Sequence, residues 1–161
     1  MELLEYQKEV IDKAIEKIKQ NGIVYLSCET RTGKTSIALN LINMINPDAK
    51  IIFVTKKLIK QSARKDYTEW GISNPINIIS MDSLHKLTYE SNVFFVIDES
   101  HLFGAYPKRK IRTERLKKLV KSNTVIYLSG TPSPESYSMI YHQLWISDYS
   151  PFKQFKNFYD W

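Results

Sequence analysis

Two short groups of residues in this sequence could carry out chemistry on a phosphate ester. The first is Gly33-Lys34-Thr35, which follows the apolar run 23–26 and precedes a helical pattern. At a helix N-terminus the backbone N–H groups and the helix dipole attract phosphates, and a glycine lets the backbone approach them closely. Lys34 can reach the β- and γ-phosphates, and the Thr35 hydroxyl can bind magnesium. The glycine that opens the full phosphate-loop pattern is replaced by Cys28, so the match is incomplete.

The second group is Asp98-Glu99, at the end of the apolar run 93–97. Asp98 is placed to hold magnesium, and Glu99 can orient and deprotonate the water that attacks a γ-phosphate. Acidic residues at strand ends also cap turns, but the pairing with Gly33-Lys34-Thr35 in one predicted sheet favours catalysis. His101 is a candidate because it lies beside the acidic pair. We therefore predict a site for ATP and Mg²⁺ whose catalytic residues are Lys34, Asp98, Glu99 and His101 and whose metal ligands are Thr35 and Asp98.

Five short apolar runs and four helical patterns are expected to position these groups. Most of the runs are continuous rather than alternating, which is typical of strands that are covered on both faces. Because helical patterns lie between most of them, we predict an α/β fold, a parallel sheet flanked by helices on both faces. Ligands bind at the carboxyl ends of such strands, here the loops after Leu26, Val54, Ile79, Ile97 and Leu128. The predicted strands are 23–26, 51–54, 76–79, 93–97 and 125–128, and the predicted helices are 3–20, 35–45, 58–70 and 110–121.

Composition limits the class of protein. The 161 residues fit one domain, and 23 basic against 17 acidic residues give a net charge of +6, which is weak support for an anionic partner. The single cysteine, Cys28, excludes an internal disulfide. The acidic N-terminus lacks the order of a signal peptide, and the longest apolar run, 93–97, is too short to cross a bilayer. We expect an intracellular, cytoplasmic protein without a membrane partner.

Three further motifs give the sequence a family resemblance. Asp98-Glu99-Ser100-His101 resembles the Asp-Glu-Ala-His box of superfamily 2 helicases and translocases, and Ser129-Gly130-Thr131-Pro132 is similar to their Ser/Thr-Gly-Thr-Pro coupling motif. Tyr6-Gln7 resembles the glutamine motif in the first helix of that family. The order and spacing fit, and the sequence is most similar to Swi/Snf-type translocases and related phage helicases. The resemblance implies that residues 1–161 form a RecA-like P-loop domain, the first of the two RecA-like domains of such motors.

The resemblance also implies a role for each matching residue. Gln7 would recognise adenine. The coupling motif, together with His101, would link the state of the nucleotide to the binding of nucleic acid. Lys56 stands where many relatives have proline, which removes no group that performs chemistry. The implied nucleotide-binding residues are Gln7, Thr30, Arg31, Thr32, Gly33, Lys34, Thr35 and Ser36, the coupling residues are Ser129, Gly130 and Thr131, and the residues near nucleic acid are Thr55, Lys56 and Lys57.

The implied function is the ATP-binding half of an ATP-dependent helicase or DNA translocase, with double-stranded DNA as the expected partner. Related motors place ATP between two RecA-like domains, and the second supplies arginines that stabilise the transition state. No second set of motifs follows Thr131. We therefore expect ATP binding with slow hydrolysis unless a second RecA-like domain or a partner subunit is present, because an arginine finger contributes roughly 10³–10⁵ in rate. The alternatives are a packaging- or restriction-type motor ATPase and a nucleotide-gated DNA-binding module without useful turnover.

Basic and aromatic side chains are concentrated in three further segments. Two basic runs could contact phosphates or could be solvated helix faces. Ser150-Pro151 is typical of a helix start, and the aromatic residues that follow it could pack within the domain or dock a second domain. The first run is Lys56, Lys57, Lys60, Arg64 and Lys65, the second is Lys108, Arg109, Lys110, Arg112, Arg115, Lys117 and Lys118, and the aromatic stripe is Phe152, Phe155, Phe158 and Tyr159.

Overall fold

A five-stranded parallel sheet forms the centre of the molecule. The computed structural model describes residues 1–29, 31–105 and 108–161. Along the sheet the strands follow the order β1-β5-β4-β2-β3, and all neighbouring pairs are parallel. All of the predicted strands are confirmed, with bounds β1 Ile23–Ser27, β2 Lys50–Thr55, β3 Ile76–Ser80, β4 Val93–Ile97 and β5 Thr124–Ser129.

Helices cover both faces of this sheet, as predicted. The first face is covered by α1 Glu5–Asn21, α2 Lys34–Ile45 and α3 Lys60–Glu69, and the second by α4 Ile111–Val120 and α5 Ser138–Leu144. Alternate residues of the strands enter the two cores: Phe53 packs under α1–α3, and its neighbour Ile52 packs under α4. Because the three central strands β2, β4 and β5 are buried on both sides, they are almost continuously apolar. No helix in the described part of the chain is long and apolar enough to span a membrane.

Two predicted helices differ from the structure in detail. The helix predicted over 3–20 spans Glu5–Asn21. Its buried face is centred on Gln7, Ile11, Ala14 and Ile18, and Tyr6 is exposed. Gly22 ends this helix in the left-handed conformation with φ +72°, as expected of its cap. The helix predicted over 58–70 begins as a 3-10 turn at Lys57–Ile59, which leaves Leu58 95% exposed.

The helix predicted from Ser150 is wrong. Residues 151–157 form turns, and only a 3-10 turn at Phe158–Asp160 follows, whereas α5 was not predicted. The reason is the packing of Phe152, Phe158 and Trp161 around Tyr141 of α5, with ring centroids 5.5–5.7 Å from the Tyr141 ring. That spacing does not fit one helix face, and the Tyr159 side chain points into solvent. Phe152 and Phe158 therefore pack within this domain.

A stacked pair of tyrosines lies under the second face of the sheet. The ring centroids of Tyr25 and Tyr127 are 5.6 Å apart, and the two ring planes are nearly parallel. The Tyr25 hydroxyl donates to Gln143 Oε1 at 2.7 Å and accepts from Ser100 Oγ at 2.8 Å. The Tyr127 hydroxyl is fully buried and has no hydrogen-bond partner among the described residues, and burial raises the pKa of Tyr127 far above its usual value. A buried hydroxyl without a partner costs free energy.

The same substitution should therefore have opposite effects at these two stacked positions. Tyr127→Phe removes a desolvated hydroxyl and is expected to raise the free energy of unfolding by about 1 kcal/mol. Tyr25→Phe removes two hydrogen bonds and is expected to lower it by about 1–2 kcal/mol. Urea unfolding monitored by circular dichroism measures both values. A Tyr127→Phe variant that is less stable than the wild type would show that its hydroxyl is well solvated or bonded.

Candidate nucleotide and magnesium site

The strand order brings the sequence motifs together at the carboxyl edge of the sheet. β5 pairs with β1 on one side, where Ser129 is opposite Ser27, and with β4 on the other. β2 then pairs with β4, with Val54 opposite Ile97. We call residues 28–35 after β1 the phosphate loop, residues 98–101 after β4 the acidic box and residues 129–132 after β5 the coupling turn. The coupling turn consequently lies between the phosphate loop and the acidic box. The segment that starts with Thr55 lies on the far side of the box.

The phosphate loop ends in the open N-terminus of α2. Gly33 caps this helix with φ +76°. The first hydrogen bond of the helix runs from the Ile37 N–H to the Gly33 carbonyl, at 2.9 Å. The N–H groups of Lys34, Thr35 and Ser36 therefore lie at the helix end that attracts anions. The Lys34 ammonium donates to the carbonyls of Cys28 at 3.1 Å and Glu29 at 3.0 Å, which holds its charge over the loop.

The start of α1 supports this loop. Gln7 Oε1 accepts from the Leu4 N–H at 3.0 Å, and Gln7 Nε2 donates to the Thr32 carbonyl at 3.3 Å. The Tyr6 hydroxyl donates to the same carbonyl at 2.9 Å. A Cβ atom on Gly33 would lie 2.7 Å from Gln7 Nε2 and would displace this flexible amide, and the φ of +76° independently favours glycine. The structure thus brings Gln7 to the phosphate loop, while its role in recognising adenine stays a prediction.

Asp98 is held at the tip of β4 by two hydrogen bonds. Its Oδ2 accepts from Thr55 Oγ1 at 2.7 Å, and its Oδ1 accepts from the Glu99 N–H at 3.0 Å. The side chain is almost fully buried, and burial raises the pKa of Asp98 although the Thr55 hydrogen bond acts in the opposite direction. The Thr55 side chain is fully buried and positions Asp98, and the expectation that Thr55 lies near nucleic acid stays a prediction.

Glu99, His101 and Ser129 form a contact between the acidic box and the coupling turn. Glu99 has a left-handed backbone with φ +50°, an uncommon conformation for a residue with a side chain. His101 Nδ1 lies 3.4 Å from Glu99 Oε2 and 2.9 Å from Ser129 Oγ, and the Thr131 N–H donates to Ser129 Oγ at 3.1 Å. Burial lowers the pKa of His101, so the ring is mostly neutral at pH 7 and its contact with Glu99 is not an ion pair.

The donor set at this edge fits a magnesium ion that is held jointly with a nucleotide. Within residues 1–29, 31–105 and 108–161, no group of three or more His, Cys, Asp or Glu side chains could hold a metal ion. Mg²⁺ commonly takes one or two carboxylates and completes its shell with phosphate oxygens and water. Asp98 retains lone pairs beyond its two hydrogen bonds, and Thr35 stands in the first turn of α2. These two residues are therefore the candidates for holding the ion.

The other predicted site residues are placed as follows. Thr30 lies outside the described residues. Arg31 is exposed with φ +67°, and the Thr32 hydroxyl donates to the Glu29 carbonyl at 2.8 Å. The side chain of Ser36 is mostly buried, so its N–H is its available donor. Lys56, Lys57 and Thr131 are exposed, and Gly130 is half-buried.

The second basic run is largely tied into the fold. The Arg109 guanidinium lies 4.3 Å from the Trp145 ring centre, and the Lys117 ammonium donates to the Trp145 carbonyl at 2.9 Å. Arg112 donates to the Leu102 carbonyl at 2.7 Å, and Arg115 donates to the His85 carbonyl at 2.9 Å. These contacts favour a structural role for the run. Lys56 and Lys57 are instead exposed at the same edge as the acidic box.

Motif reasoning missed two polar residues beside the site, Tyr25 and Gln143. Tyr25 lies in the middle of β1 and has the apolar neighbours of an ordinary strand residue. Gln143 lies in α5, which has no capping signal and was not predicted. Nothing in the sequence pointed to Gln143. The contact between Thr55 and Asp98 could have been inferred, because both residues follow strands that pair in parallel.

Comparisons with known proteins agree with this architecture. A family model described as "Type III restriction enzyme, res subunit" matches residues 1–83, which is just over half of the chain. The Swi2/Snf2 ATPase core of Sulfolobus solfataricus, solved in complex with double-stranded DNA, superposes with a TM-score of 0.78 and 15% identity over 96% of this chain. A nuclease-deletion mutant of the Type ISP restriction-modification enzyme LlaGI, solved with a DNA substrate mimic, superposes with a TM-score of 0.60 and 15% identity over 83% of this chain. No curated protein matches the sequence.

These likenesses confirm the expected RecA-like fold, a parallel sheet with helices on both faces. The chain spans 38% of the Swi2/Snf2 core and 18% of the LlaGI chain. At 15% identity the similarity establishes the fold alone. What those proteins do as wholes therefore bears on this chain only as a proposal.

The buried carboxylate of Asp98 predicts a measurable cost in stability. Burial raises the pKa of Asp98 in the folded protein above its value in the unfolded chain. The free energy of unfolding is therefore unaffected by this group below the unfolded-state pKa, where Asp98 is protonated in both states. It decreases as pH rises through the folded-state pKa, because the buried carboxyl must then ionise. Asp98→Asn removes the desolvated charge, and the Thr55 hydroxyl can still bond the amide. We expect its melting temperature to exceed that of the wild type at pH 7 by about 2–4 °C, with the difference shrinking towards pH 4. Differential scanning calorimetry across this range measures it.

The exposed residue Asp12 provides a matched control. Asp12→Asn makes the same change in charge outside the site and should shift the melting temperature by less than about 1 °C. An Asp98→Asn variant that melts below the wild type at pH 7 would mean that the ionised carboxylate stabilises the fold.

Proposed function

The chain belongs to the family of the Type III restriction enzyme, res subunit, and we propose that it is the ATP-binding half of an ATP-driven motor that moves on DNA. One observation carries this proposal. The coupling turn at Ser129 lies between the phosphate loop and the acidic box, and it contacts the box through His101. A simple nucleotide-binding domain has no need of this contact, whereas a motor must transmit the state of its nucleotide to another surface.

In this proposal the phosphate loop binds the triphosphate. The N–H groups at the start of α2 donate to phosphate oxygens, and the helix dipole adds to the attraction. Lys34 exchanges its two carbonyl acceptors on Cys28 and Glu29 for the β- and γ-phosphate oxygens. Because Gln7 lies against Gly33 at the same loop, it is suitably placed to contact the adenine.

Glu99 is the proposed general base for hydrolysis. Its left-handed backbone turns the side chain away from the line of β4, and this side chain is partly accessible to solvent. The carboxylate can accept a proton from a water molecule that is aligned with the γ-phosphate. Thr35 and Asp98 would hold Mg²⁺, which when bound neutralises charge on the phosphate oxygens. Thr55 keeps the Asp98 carboxylate oriented.

The Glu99–His101–Ser129 contact is the proposed link between the nucleotide and the DNA-binding surface. A change in the position of Glu99 on hydrolysis alters its 3.4 Å contact with His101. His101 in turn bonds Ser129, which holds the backbone of Thr131. The turn after β5 thus responds to the state of the nucleotide.

DNA is the nucleic acid on which the motor is proposed to move. Lys56 and Lys57 are the residues of this domain that are proposed to contact it. The two similar structures are complexes with DNA, which supports this choice of nucleic acid. Burial is the main cause of the lowered pKa of His101, and the nearby charge of Lys56 lowers it further, so the basic segment and the coupling contact are neighbours. Lysines on such a surface supply the sequence-independent part of the affinity.

A second RecA-like domain or a partner subunit is proposed to complete the site. Among the described residues, Lys34 is the lysine that bonds the carbonyls of the phosphate loop, and the chain spans 38% of the Swi2/Snf2 core. Arginines from a second domain would supply the remaining positive charge in the transition state. Of the two classes of motor considered, the family match favours a restriction-type motor over a packaging motor.

Glu99→Gln should separate ATP binding from hydrolysis. Loss of a general base lowers turnover by about 10²–10⁴, whereas the dissociation constant for ATP should stay within about threefold because the phosphate loop is intact. Glu90→Gln is the matched control, because Glu90 pairs with Lys50 away from the site. Single-turnover hydrolysis and calorimetric titration provide the two readouts. Retained turnover in Glu99→Gln would rule out Glu99 as the base.

The double variant Lys56→Ala/Lys57→Ala should weaken DNA binding. We expect about a tenfold loss of affinity for duplex DNA at moderate salt and a salt slope that is smaller by about one to two. Fluorescence anisotropy at several salt concentrations measures both quantities. The exposed pair Lys17 and Lys19 near the end of α1 gives a control with the same change in charge, Lys17→Ala/Lys19→Ala. Equal losses in the two double variants would show that net charge, and not this edge, binds DNA.

A further inference from the structure

Gln143 forms a fully satisfied buried amide next to the proposed catalytic edge. It lies in α5 and has no exposed surface. Its Oε1 accepts from the Tyr25 hydroxyl at 2.7 Å and lies 3.2 Å from Ser100 Oγ. Its Nε2 donates to the Pro132 carbonyl at 2.7 Å and to the Met139 carbonyl at 3.1 Å. Both ends of the amide are therefore used.

These contacts join two turns that the sheet places side by side. Ser100 belongs to the acidic box after β4, and Pro132 belongs to the coupling turn after β5. Tyr25 reaches the same amide from β1, and its hydroxyl also accepts from Ser100. One side chain thus contacts three neighbouring strands or their ends. An amide suits this position because it presents an acceptor to the hydroxyls and a donor to the carbonyls.

The backbone of Glu99 gives this clamp a consequence for the chemistry. A non-glycine residue with φ +50° persists only where its surroundings hold it in place. The next residue, Ser100, is fully buried, and its hydroxyl is fixed by Tyr25 and Gln143. On the other side, the Leu102 N–H donates to the Glu99 carbonyl at 2.9 Å. Loss of the Gln143 amide would release Ser100, and the turn at Glu99 would then be held only through the Leu102 N–H.

We propose that Gln143 is a positioning residue that clamps the acidic box to the coupling turn, so that Glu99 and His101 stay in register with Ser129. This role rests on the proposed ATPase function of the same edge. Gln143 is fully buried and so is closed to a nucleotide bound at the surface of this edge. It acts through Ser100 on Glu99 and through Pro132 on the turn that contains Thr131.

Gln143→Met tests the clamp, because methionine has a similar length and removes every hydrogen bond of the amide. The matched control is Asn74→Leu. Asn74 is also a fully buried amide, and it donates to the Asn46 and Ala49 carbonyls ahead of β2 and β3, far from the carboxyl edge. Both variants should lose stability.

Hydrogen exchange measures the clamp without reference to activity. In Gln143→Met we expect the amides of residues 98–104 and 129–136 to exchange at least about tenfold faster than in Asn74→Leu. Unchanged exchange of both segments in Gln143→Met would overturn the clamp.

Hydrolysis measures the positioning role. In Gln143→Met the single-turnover rate should fall at least about tenfold while the dissociation constant for ATP stays within about twofold, and Asn74→Leu should retain both values. Equal rates in the two variants, or parallel loss of rate and ATP affinity, would overturn the role. Failure of the wild type to bind ATP would instead overturn the proposed function, and the exchange data would still decide whether the clamp exists.

Discussion

The parallel pairing of β5 with β1 on one side and β4 on the other is the constraint on which the whole site depends. The phosphate loop, the coupling turn and the acidic box each leave the carboxyl end of one of these strands. Because neighbouring strands lie about 4.8 Å apart, the three segments come within side-chain reach of one another. The chemistry then needs no long loops, since the sheet itself sets the distances.

This arrangement concentrates unfavourable features at one edge of the molecule. Asp98 is buried with a raised pKa, Glu99 has a left-handed backbone, and His101 is kept mostly neutral by burial. The first two cost stability at neutral pH, and the third does so only in acid, where the ring must be protonated. Such features commonly gather at functional sites. The remainder of the sheet is apolar and well covered by helices on both faces. A rigid frame of this kind can maintain a strained edge.

Much of the fold was predictable because parallel strands that are buried on both faces leave continuous apolar runs. The phosphate loop was predictable as well, since Gly33-Lys34-Thr35 must follow a strand and begin a helix. The strand order was not, because chain order does not indicate that β5 inserts between β1 and β4. The segment after Ser150 was mispredicted because its aromatic rings surround Tyr141 of α5 instead of forming a helical stripe. Gln143 escaped notice because its partners come from three distant parts of the sequence.

A crystal structure of the protein with Mg²⁺ and a non-hydrolysable ATP analogue would test the nucleotide site most directly. We predict that the β- and γ-phosphates lie at the N-terminus of α2, with the Lys34 ammonium moved from the Cys28 and Glu29 carbonyls onto them and with the metal between Thr35 and Asp98. The opposite end of the sheet offers a contrasting location, a cavity of about 1010 Å³ lined by Lys17, Gly22 and Tyr149 among others. An analogue bound there, or one bound without contact to Lys34 and Asp98, would contradict the assignment of the site.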